Sequence, residues 1–107
     1  MTSKTHIRLA CICVAGILAG TVQAAEWKGL INGTDLSGWQ QLGGTALYEV
    51  DGDTIVGHTV ADSPNSFLTT KKHYSDFILE YEMLVEAGMN SGVQIRSHVR
   101  ENGVVFG

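Results

Sequence analysis

Two carboxylates, a guanidinium and an imidazole recur at even spacing late in the chain: Glu80 and Glu82, then Arg96 and His98. Asn90 and Ser91 lie between the two pairs. A carboxylate or an imidazole can move a proton, and a guanidinium can hold hydroxyls or a developing oxyanion. Glu80 and His98 are therefore the candidate catalytic groups. Glu82, Arg96, Asn90 and Ser91 are the candidate substrate-binding groups.

These side chains must be held by strands. Phe77, Leu79, Tyr81, Met83 and Val85 alternate with Asp76, Ile78, Glu80, Glu82, Leu84 and Glu86. Val93, Ile95 and Val99 alternate with Gln94, Arg96, His98 and Arg100. Period two marks strands with one face in a core and the other in water. The intervening Ala87-Gly88-Met89-Asn90-Ser91 suits a hairpin loop. Pairing Glu86 with Gly92 sets Glu82 opposite Arg96 and Glu80 opposite His98, giving one polar, ligand-facing sheet surface. The plainer reading is two cross-strand charge pairs on a wet face, worth about 0.2–1 kcal/mol each.

The first 24 residues read as a secretory signal peptide. Lys4 and Arg8 form a basic start, residues 9–19 an apolar run, and Val22-Gln23-Ala24 a small-residue cleavage site. The run is shorter than the roughly 20 residues a membrane helix needs. Cys11 and Cys13 sit inside it rather than after it, so no lipid anchor is expected. A periplasmic or secreted protein without a membrane anchor follows. Loss of the leader removes both cysteines and leaves five basic against eleven acidic side chains. So acidic a chain lacks the footprint for nucleic acid; small-molecule or oligosaccharide ligands remain open.

Residues 25–107 form one domain of short strands separated by turn residues, the pattern of an antiparallel β-sandwich or barrel. Asn32-Gly33-Thr34-Asp35 is a turn that also fits a glycosylation sequon. Asp51-Gly52-Asp53 reads as a hairpin turn; a calcium loop would need further ligands. Asn102-Gly103 signals another hairpin, whose returning strand starts at Val104. Ending there exposes an unpaired edge, so the chain reads as part of a longer protein. His58 and His73 read as surface histidines, and Trp39 as a core residue rather than a sugar-stacking one.

Residues 30–39, Leu-Ile-Asn-Gly-Thr-Asp-Leu-Ser-Gly-Trp, resemble the "LFNGKDLSGW" opening of the 3-keto-disaccharide hydrolase domain family. Four further stretches resemble it in the same order. Tyr48-Glu49-Val50-Asp51-Gly52 is similar to "W.V.DG", with Tyr48 for Trp. Phe67-Leu68-Thr69-Thr70 fits "L.T", and Tyr74-Ser75-Asp76-Phe77 fits "Y.DF". Gly88-Met89-Asn90-Ser91-Gly92-Val93-Gln94-Ile95-Arg96 fits "GGNSGI.FR", with Met89 for Gly.

The resemblance implies a concanavalin A-like jelly-roll sandwich of two antiparallel sheets, with a sugar groove on its concave face. It also implies exported proteins that cleave 3-keto glycosides by hydrolysis or elimination. Such chemistry needs a base near C2, an acid for the leaving oxygen, and enediolate stabilisation, for which a divalent metal is one source. The sequence leaves that cofactor unnamed. In the family a further segment beyond this hairpin carries a groove carboxylate, so the present chain alone is expected to be inactive. Two alternatives stand beside the enzyme reading: a non-catalytic carbohydrate-binding domain, and a product with no independent fold.

Overall fold

The computed structural model describes residues 2–11, 26–101 and 105–106. Among them are nine strands and no helix. They are β1 (Thr2–Cys11), β2 (Trp27–Gly29), β3 (Trp39–Gly43), β4 (Leu47–Asp51), β5 (Thr54–His58), β6 (Ser66–Thr70), β7 (Phe77–Val85), β8 (His98–Val99) and β9 (Val105–Phe106). Every pairing is antiparallel. The largest sheet runs β2-β1-β5-β4, with β7 on the other edge of β1; β3–β6 and β8–β9 form two small ribbons. An all-β architecture of antiparallel sheets is consistent with a β-sandwich.

The β4–β5 hairpin follows its expected turn. Asp51 pairs with Thr54, leaving Gly52-Asp53 as a two-residue loop with Gly52 at φ 61°. Positive φ at the first central position is what a type II′ turn requires. β5 lies between β4 and β1, which makes it the most enclosed strand. Ile55 and Val56 are buried there, each contributing about 1.5–3 kcal/mol. Elsewhere burial is thin. Leu47, Leu84, Ile95 and Val99 are each more than half exposed.

Two observations bear on the expectations. Residues 2–11, which fall within the expected leader, form β1, which pairs along Thr2 to His6 with β5 and along Ser3 to Cys11 with β7. The alternation His6-Ile7-Arg8-Leu9 is itself strand-like, and β1 fills the slot between two edges that would otherwise be unpaired. The remainder of the leader lies outside the described residues. Secondly, β7 pairs with β1 and not with the 93–100 stretch. Arg96 sits at φ 54°, a left-handed conformation that breaks an extended run, and residues 89–97 form no strand. Glu82 is registered with His6 and Glu80 with Arg8, so the expected pairing with Arg96 and His98 does not form. His98 instead pairs with Phe106 in the β8–β9 ribbon. The Asn102-Gly103 turn lies outside the described residues.

Candidate functional site

An open cleft of about 750 Å³ runs between one face of the large sheet, the β3–β6 ribbon and the 89–97 segment. Its floor comes from β5 and β7 through Ile55, Gly57, Phe77 and Leu79. Alternation along β7 then decides the fate of the carboxylates. Phe77 and Leu79 face the cleft, so Glu80 and Glu82 belong to a different set of contacts, and neither lines it. His98 does not line it either. Asn90, Ser91 and Arg96 do. The structure thus separates the six candidate residues into a cleft group of three and an outer group of three.

Arg96 is held in place by three features. Its Nη2 donates to the Ser75 carbonyl at 3.2 Å, its guanidinium lies 5.8 Å from the Phe77 ring centroid, and its backbone is left-handed. A non-glycine residue at positive φ costs roughly 1–2 kcal/mol, strain that tends to persist at ligand-binding positions. Asn90 and Ser91 stand further along the same segment, whose start is tied by the Met89 amide donating to the Glu86 carbonyl at 3.1 Å.

The opposite wall is knitted by side chains. Tyr48 Oη donates to the Ser66 carbonyl at 3.2 Å, joining β4 to β6. Burial raises that phenol above its ordinary pKa. Its ring covers Gly57 directly across the ladder, so a side chain at 57 would crowd it. The Ala46 amide donates to Ser66 Oγ at 2.9 Å and the Thr45 amide to Ser63 Oγ at 2.7 Å. Trp39 is half-buried, its Nε1 donating to the Leu30 carbonyl at 2.9 Å, and it also lines the cleft.

The 32–37 turn explains the Asn-Gly-Thr-Asp-Leu-Ser string. Asn32 Oδ1 accepts the Thr34 and Asp35 amides at 2.9 Å each, and its Nδ2 donates to Asp35 Oδ1 at 2.7 Å. Asp35 Oδ1 also accepts the Ser37 amide at 2.9 Å. Hydrogen bonds from Ser37 and then Asn32 hold the Asp35 carboxyl down at about 2. The turn is a fastener for the strand that carries Trp39.

His58, read from the sequence as a surface histidine, borders the cleft and places Nε2 3.0 Å from Glu49 Oε1. Its Nδ1 is 3.3 Å from Thr2 Oγ1. The Asp-Gly-Asp turn fixes Glu49 opposite Val56, which makes Glu49 and His58 diagonal neighbours on the face away from Ile55 and Gly57. His73 and Lys72 line the cleft as well, with Lys72 Nζ 5.2 Å from the Tyr74 ring centroid. Among the described residues lining the cleft there is no Asp or Glu. Among the described residues as a whole, no three His, Cys, Asp or Glu side chains converge as a metal-ligand set.

The family model for the 3-keto-alpha-glucoside-1,2-lyase-like domain matches residues 26–107. The chain belongs to this family. Its function is accordingly carbohydrate-related. No curated protein and no solved structure matches the chain. The match begins where the leader was expected to end, and it takes in all of the 3-keto-disaccharide hydrolase-like motifs noted above.

Proposed function

We propose that the chain is an exported carbohydrate-active protein whose cleft takes a 3-keto glycoside, on a jelly-roll sandwich whose concave side is that cleft. The observation that carries the reading is Arg96: a residue on left-handed backbone whose guanidinium is held by Ser75 and Phe77 at the edge of a hydroxyl- and amide-lined cleft. The family match supplies the sugar class.

The carbonyl at C3 acidifies the proton on C2. A base takes that proton, the C–H electron pair becomes the C1–C2 double bond, and the glycosidic oxygen leaves C1 with a proton from an acid. Addition of water across the new double bond completes a net hydrolysis; omission of that step leaves elimination. Arg96 stabilises the enediolate oxygen while charge develops. Asn90 and Ser91 orient sugar hydroxyls. His73, among the cleft-lining residues, is the candidate proton acceptor. Glu80, Glu82 and His98 have no part in this arrangement.

The absence of carboxylates among the described lining residues, together with Trp39, Tyr48 and the amides, favours a second reading as a carbohydrate-binding domain. Turnover of a 3-keto-disaccharide by the protein with the segment expected to follow residue 107, and by the same protein carrying Arg96→Met, separates the two. The enzyme reading expects at least a roughly hundredfold loss of kcat/KM in the variant. Unchanged turnover would sink the role of Arg96. Binding of intact glycan without turnover would favour the second reading.

A further inference from the structure

The strand order raises a question the cleft does not answer: what the slot between β5 and β7 is for. β5 and β7 are not paired with each other; both pair with β1, which enters antiparallel to each. The registers run from Thr2↔His58 to His6↔Thr54 on one side, and from Ser3↔Val85 to Cys11↔Phe77 on the other. Beyond β5, the same edge of β1 carries β2 through Arg8↔Gly29 to Ala10↔Trp27. The central strand of the largest sheet thus comes from the amino-terminal ten residues, outside the family match that starts at residue 26.

We infer that the slot between β5 and β7 is a strand-acceptor site, with the detached segment Thr2–Cys11 as its ligand. Recognition of this kind is by main-chain ladders on both edges, with alternate side chains setting the register. Two features of the chain suit it. The segment has two flanking partners over residues 3–6, where the ladder is doubled. Its neighbours in the slot include small groups: a side chain at Gly57 would meet Ser3 Oγ at 3.3 Å, so the glycine lets the strand approach closely. Removal of the segment leaves two long edges exposed, which bind an extended peptide or aggregate.

The test uses the full chain, cleaved after Ala24 and left at neutral pH without denaturant. A fluorescein-labelled peptide of residues 2–11 is added, and its polarisation is followed alongside size-exclusion chromatography. The inference expects saturable binding with exchange between the labelled and the excised segment. Thr5 pairs with Ile55 on one edge and Met83 on the other, so its amide faces a ladder whichever way it points. A peptide with Thr5→Pro lacks that donor and is expected to bind about tenfold more weakly. A scrambled peptide should not bind. Equal binding of the Pro and scrambled peptides, or no binding by the cleaved chain, overturns the inference. A doubly labelled second chain, added uncleaved, reports strand exchange between copies; a signal confined to that chain, with none for the free peptide, also contradicts it.

Discussion

The turn at residues 32–37 and the segment at residues 89–97 are both short, polar and free of regular structure, yet they are built in opposite ways. In the turn, Asn32, Thr34, Asp35 and Ser37 satisfy one another, with Asn32 and Asp35 accepting three backbone amides between them. In the 89–97 segment the ties reach far along the chain: Arg96 to Ser75, and Ser91 Oγ to Ser3 Oγ at 3.5 Å. The first kind of loop is stable because its partners are always nearby, and it serves to fix Trp39. The second borrows its shape from distant elements and presents Asn90, Ser91 and Arg96 to the cleft. Locally closed loops hold the frame; remotely held ones are free to carry function.

The contrast breaks most readily on the frame side. Gly44 lies against the Pro64 carbonyl and the Ser63 and Ser66 hydroxyls, and its own amide donates to the Asn65 carbonyl at 2.8 Å. A Cβ there collides with backbone, so Gly44→Ala is expected to destabilise by about 2–3 kcal/mol in urea unfolding. A change below about 0.5 kcal/mol would show that the ribbon gives way easily.

Arg96 sharpens the other side. Arg96→Gly relieves the positive φ and loses the Ser75 hydrogen bond, effects of similar size and opposite sign, so stability should stay within about 1 kcal/mol of the parent. Arg96→Val keeps the strain, adds a branched Cβ, and is expected to cost about 2 kcal/mol. If valine is tolerated as well as glycine, the left-handed backbone is not enforced in solution.

The smallest effect is in the turn's acid titration. Asp35 is depressed from 3.8 to about 2, so its hydrogen bonds stabilise the fold fully above the higher value and are lost as pH falls through the lower one. Asp35→Asn should therefore differ in melting temperature from the parent near neutral pH and converge with it as the pH approaches about 2. A difference that persists unchanged at low pH would mean the carboxylate charge is not what matters.

The same contrast explains what was legible in the sequence. The Asp51-Gly52-Asp53 hairpin turn and the turn at Asn32-Gly33-Thr34-Asp35 depend on neighbours within a few residues, and they read correctly. Phe77 and Leu79 face inward as their spacing implies. The pairing of Glu80 and Glu82 does not follow from spacing, because alternation fixes which face a side chain takes but not which strand arrives beside it. Val93, Ile95 and Val99 suggested a returning strand, and one left-handed residue, Arg96, is enough to interrupt it. Composition marks residues 1–24 as a leader, and the alternation within residues 2–11 also suits a strand. The contact of His58 with Glu49 follows from a diagonal that the hairpin register fixes.

The account rests on the division of β7, with its inner face toward sugar and its carboxylates turned away. Titration of the isotope-labelled chain with a 3-keto-disaccharide, followed by amide and side-chain chemical shifts, tests that division directly. The account predicts saturable shifts at Asn90, Ser91, Arg96 and Tyr48, with Glu80 and Glu82 unmoved. Shifts at Glu80 and Glu82 with a silent Arg96 would put the ligand on the opposite face and contradict it.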